Sequence, residues 1–80
     1  MPYARPDIRA DLDAGAPPTR SGELNYVLTR VIQRFLASQP PGYEAFNTVV
    51  GALECAKLEF YRRAAAPYED IAKERNGDVY

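Results

Sequence analysis

Apolar residues recur at three- and four-residue intervals along two stretches of the chain, and a proline- and glycine-rich break separates them. That pattern predicts helices and no strand. In the first stretch Leu24, Leu28, Val31 and Phe35 share one face, which predicts a helix from about Gly22 to Ala37 with that face as core. Ile32 and Leu36 widen the apolar surface towards Asn25 and Thr29, so a second contact zone mixes apolar and hydrogen-bonding groups. Pro40, Pro41 and Gly42 then break the chain over a span short enough for an antiparallel return. The second stretch places Phe46, Val49, Val50, Leu53, Ala56, Phe60 and Ala64 on one stripe of a helix that begins near Tyr43 and runs through Arg63. Pairing the two stripes gives a hairpin core.

Pro67 has no N–H for the carbonyl of Arg63 and its ring crowds that carbonyl, so the second helix should kink or restart there. Tyr68 to Arg75 can resume it, and Gly77 suits its stop. Asp78, Val79 and Tyr80 then form a free tail. At the other end, Ser21 is placed to cap the first helix, with Glu23 facing the positive end of its dipole. Pro2, Pro6, Pro17, Pro18 and Gly15 prevent the first twenty residues from forming one helix, although Asp7 to Ala14 suits a short helical turn. The expected organisation is a flexible proline-rich segment over 1–20 and a helical oligomerisation and binding domain over 21–80. The fold class is all-α: an antiparallel helical hairpin with a long kinked second helix, assembling as a homo-oligomer.

Length supplies the reason for the oligomer. Eighty residues in a single layer of helices leave much apolar surface uncovered. Histidine is absent and Cys55 is the only cysteine, which excludes a zinc site, a histidine base and a Cys-His dyad. Cys55 reads as a small packing residue rather than a reactive thiol. The formal charge of −1 argues against coating duplex nucleic acid, though Arg20, Arg30 and Arg34 outweigh Glu23 in the first long segment and leave room for a modest anion site. No apolar run approaches a membrane span and no secretory signal is visible, so the expected location is cytoplasmic.

Asn47, Glu54, Tyr61 and Tyr68 follow at intervals of seven and form a column along the border of the second stripe, with Gly51 and Arg62 beside it. A glycine in a helix costs roughly 1 kcal/mol relative to alanine, which points to close approach by another helix or a ligand. Glu54 borders the stripe and must be hydrated, paired or hydrogen-bonded. Its expected partners are Arg62, Arg30 or Arg34; the functional alternative has it accept from a bound base or orient a phosphate-gripping arginine. Six tyrosines without tryptophan are unusual in so short a chain. Tyr26, Tyr43, Tyr61, Tyr68 and Tyr80 suit base stacking and Arg30, Arg34, Arg62 and Arg63 suit phosphate, while the same tyrosines suit subunit interfaces. Glu59 and Arg63 read as an ordinary four-apart pair. No catalytic constellation assembles: Glu54 and Glu59 lie on different faces, and no glycine-rich strand-to-helix loop is present.

Gly22-Glu-Leu-Asn-Tyr26, Asn47, Leu53-Glu-Cys-Ala-Lys-Leu-Glu-Phe-Tyr-Arg-Arg63, Pro67-Tyr-Glu69 and Asn76-Gly-Asp-Val-Tyr80 resemble a small uncharacterised family met in bacteria and their phages. That family is similar to phage anti-CBASS sponge proteins, which sequester cyclic nucleotide signals of bacterial immunity. The resemblance covers about Gly22 to Tyr80 and assigns nothing to the proline-rich start. It implies a non-catalytic sponge in the host cytoplasm, with no cofactor or metal and with a small nucleotide held by a homo-oligomer. In that picture Tyr26, Tyr61 and Tyr80 stack or close the pocket, Arg62 and Arg63 contact phosphate, and Asn25, Asn47 and Glu54 read base edges. Two other classes remain open: an oligomeric adaptor or inhibitor of a host or virion protein, and a single-strand nucleic-acid binder whose affinity falls steeply with salt.

Overall fold

A computed structural model of the chain describes residues 3–80, so Pro2 lies outside it. Among the described residues there are helices and no strand. α1 spans Pro6–Asp13, α2 spans Ser21–Ala37, and a third helical run covers 43–76. That run consists of α3 (Tyr43–Phe60), a π-helical turn (Tyr61–Ala65) and α4 (Ala66–Asn76). The chain divides after Ala45 into two compact units.

In the first unit the prolines set helix boundaries. Pro6 occupies the first turn of α1, where its missing N–H costs nothing, and Asp7 complements the dipole there. Gly15, at φ +108, ends the helix and donates to the carbonyl of Leu12 at 3.1 Å. α1 rests on α2, so this part of the proline-rich segment is a packed helix where composition alone suggested flexibility. The start of α2 corrects the expected cap. Ser21 is the first helical residue, and the extended residue before it, Arg20, makes no side-chain cap. Instead the Glu23 carboxylate reaches back out of the helix and accepts from the backbone N–H of Thr19 at 3.1 Å and from its hydroxyl at 3.2 Å, which ties the entering chain to the first turn. α2 stops as Ser38 donates through its N–H and its hydroxyl to the carbonyl of Phe35.

In the second unit the helix does not stop at Pro67. The N–H of Ala66 reaches back to the carbonyl of Tyr61, one residue further than in an α-helix, and the widened turn lies immediately before the proline. A wider turn gives the pyrrolidine ring room and absorbs the missing donor. α4 then closes at Gly77, whose φ of +87 lets its N–H bond the carbonyl of Lys73 at 2.8 Å.

Very little is enclosed. The buried apolar residues among those described are Leu12, Tyr26 and Ala45, all in the first unit. The faces expected to be core are open in the single chain: Leu24, Leu28 and Val31 on α2, and Phe46, Val50, Leu53 and Phe60 on α3, are all exposed. No helix among the described residues is long and apolar enough to cross a membrane.

Candidate functional site

Two clusters of chemistry-bearing side chains are built by the helices, one in each unit. The first stands where α1 lies on α2. Tyr26 is 6% exposed, and its hydroxyl donates to the Asp13 carboxylate at 3.0 Å while accepting from Arg30 Nε at 2.8 Å. The four-residue spacing of Tyr26 and Arg30 puts them on one face of α2, and the guanidinium carbon sits 5.0 Å from the ring centroid. Arg30 also pairs directly with Asp13 at 3.3 Å and donates to Gln33 at 2.9 Å. Accepting from the guanidinium, the Tyr26 hydroxyl raises the pKa of Arg30, with Asp13 adding to the effect. Tyr26 therefore fastens α1 to α2, and its ring is not open for stacking in this chain. A cavity of about 270 Å³ lies alongside, lined by Leu12, Asp13, Val27, Arg30 and Arg34. A larger cleft of about 690 Å³ opens between the start of α1 and the start of α2, with Tyr3, Arg5, Ile8, Arg20 and Ser21 on its walls.

The second cluster is set by the π turn. Tyr61, Arg62 and Arg63 are consecutive on it, and Glu59 one turn earlier accepts from both arginines, from Arg62 Nη2 at 2.7 Å and from Arg63 Nε. These hydrogen bonds, that of Arg62 first, hold the Glu59 carboxyl below its usual range. Tyr61 donates its phenolic proton to Glu69 at 3.0 Å. Residues eight apart on a regular α-helix are rotated by roughly 80°, whereas one extra residue in the turn brings them nearly into line. This corrects the column read from the sequence: past Tyr61 it continues to Glu69 rather than to Tyr68.

Tyr61 carries a testable signature, because the Glu69 carboxylate, with Asp70 behind it, raises the phenol's pKa above its ordinary value. A raised folded-state pKa contributes stability that is present below the ordinary phenol range near about 10 and is lost as pH rises through the higher value. Ultraviolet titration of tyrosinate should show a late-ionising phenol that disappears in Tyr61→Phe and moves back towards the ordinary range in Glu69→Gln. An unchanged titration in Glu69→Gln would show that the contact does not persist in solution.

The remaining expected site residues are dispersed. Asn25 is exposed and accepts from the Thr29 hydroxyl, through its backbone carbonyl at 2.9 Å and its side chain at 3.5 Å. Asn47 is exposed on α3. Glu54 pairs with Lys57 one turn along at 3.1 Å, and Arg62 of the same run pairs with Glu59 instead. Being exposed and hydrated, Glu54 needs no cross-helix arginine. Tyr80 is fully exposed, its N–H bonded to Asp78 at 3.0 Å. It borders an open hollow of about 520 Å³ where Glu69, Asp70 and Asp78 outnumber Lys73, a setting that repels phosphate. A Cβ on Gly51 would meet nothing within 4 Å, so nothing in the chain requires a glycine there.

Sequence reasoning missed Asp13 and Arg5 and placed Arg20 only in a general basic excess, and the resemblance assigned nothing to the proline-rich start. The match to known sequences reaches across that same segment: residues 1–79 fit the sequence profile of a domain of unknown function, DUF6899. The chain belongs to this family. The proline-rich start is thus part of the family's domain and no appendage to it. No curated protein and no solved structure matches the chain.

Proposed function

We propose that this member of the DUF6899 family is a non-catalytic, homo-oligomeric binding module of phage type, acting in the host cytoplasm as a sponge for a cyclic nucleotide immune signal. One observation carries the reading. From Phe46 to Tyr80 no residue is buried, yet Phe46, Val50, Leu53, Leu58, Phe60 and Tyr61 stand exposed on one helical run. A helix with that much uncovered apolar surface is stable in water only when something covers it. Copies of the same chain do so here.

The nucleotide half of the proposal draws on the motif resemblance together with the π turn. That turn presents one aromatic ring and two guanidinium groups side by side, and π turns recur at functional sites. Tyr61 would stack a base; Arg62 and Arg63 would exchange part of their hold on Glu59 for phosphate oxygens. Asn47 and Glu54, nearer the start of the run, would meet base edges.

Calorimetry with a panel of cyclic di- and trinucleotides tests it. Binding should weaken roughly ten- to a hundredfold in Arg62→Ala, the usual effect of removing a charge-assisted hydrogen bond. An intact oligomer that binds none of the panel would remove the sponge and leave the adaptor or inhibitor of a host or virion protein, which the same exposed tyrosines favour.

A further inference from the structure

We propose that α3 is a self-docking seam along which a second copy of the chain packs antiparallel. The inference rests on the oligomeric half of the function proposed above and on none of its nucleotide chemistry. Phe46, Val50, Leu53, Lys57 and Phe60 are spaced four, three, four and three apart, the repeat by which one helix presents a continuous seam to another. The seam is bare: Phe46 is 56% exposed, and Val50 and Phe60 are each 67% exposed.

The seam ends where a two-helix contact would. At Tyr61 the extra residue of the π turn rotates everything beyond it by about 100°, off the line that Phe46 to Phe60 define.

Lys57 decides the orientation. It is the one charged residue on the seam, and its ammonium lies 3.1 Å from the Glu54 carboxylate of its own chain. In a parallel pair equivalent positions face each other, so the two Lys57 ammonium groups would meet in the middle of an apolar contact. Turned antiparallel, the same seam sets Val50 opposite Phe60 of the second copy and Leu53 opposite its Lys57. Glu54, adjacent to Leu53, then receives that second ammonium. Each lysine stands between two carboxylates, and its apolar stem covers a leucine.

Disulfide trapping of the full-length protein in a Cys55→Ser background reads the arrangement directly. Val50→Cys and Phe60→Cys chains, mixed and oxidised, should cross-link to each other at least tenfold more than either does to itself. Lys57→Glu should weaken self-association in sedimentation, and Glu54→Lys added to it should restore association, with circular dichroism checking that each variant is helical. Strong self-cross-linking of Val50→Cys would overturn the orientation. A helical, monomeric wild-type chain would overturn the seam, and so would an intact oligomer that cross-links in no combination. Nucleotide binding by an oligomer without the cross-link would reject this seam alone; the cross-link without nucleotide binding would reject the ligand alone.

Discussion

Replacing Tyr26 with alanine should release α1 from α2 and cost about 3 kcal/mol, the usual range for deleting a buried aromatic side chain. The effect is large because so little else is enclosed: Tyr26 is the least exposed of the buried residues among those described, and its hydroxyl joins Asp13 at the end of α1 to Arg30 on α2. Tyr26→Phe should do less, since the ring stays in place and the direct Asp13–Arg30 pair survives. Amide hydrogen exchange separates the cases. Residues 6–13 should lose protection almost wholly in Tyr26→Ala and partly in Tyr26→Phe, and trypsin should cut sooner after Arg9. Unchanged protection of α1 in the alanine variant would mean that the fastening lies elsewhere.

Pro67→Ala should convert the π turn into ordinary α-helix and stabilise the 43–76 run by about 1–3 kcal/mol, because a helix-interior proline costs about 3 kcal/mol relative to alanine and the wide turn relieves only part of that. The gain in order would rearrange the site. With the turn regular, Tyr61 and Glu69 would sit roughly 80° apart and the phenol would lose its acceptor. A more helical protein should therefore have a Tyr61 that ionises in the ordinary range. If helicity rises and the late phenol stays, proline is not what holds the turn open.

The helices were legible because their punctuation is local. Pro6, Gly15, Gly42 and Gly77 mark ends, and the apolar spacing marks α2 and α3. Pro67 announced a disturbance but not its form, since a kink, a restart and a π turn all answer the same missing donor. The column through Asn47, Glu54 and Tyr61 was sound up to the inserted residue and misassigned after it. At α2 the expected Ser21 cap does not form because the backbone is already helical at Ser21, and hydroxyl identity does not specify where that happens. Tyr26 and Arg30 could have been paired from their spacing alone, whereas Asp13 arrives through a loop that periodicity does not describe. For Glu54 the neighbouring Lys57 was passed over, although a partner one turn away meets a carboxylate at lower entropic cost.

No residue of the second unit is buried, and with the self-association proposed above this has a consequence for the protein's life at low abundance. In that proposal order depends on how many copies are present, and the thermal midpoint should rise with protein concentration rather than stand as a constant of the chain. Dilution would then act on the molecule as a mild denaturant, and early in synthesis, before enough copies accumulate, its second half would be a substrate for proteases.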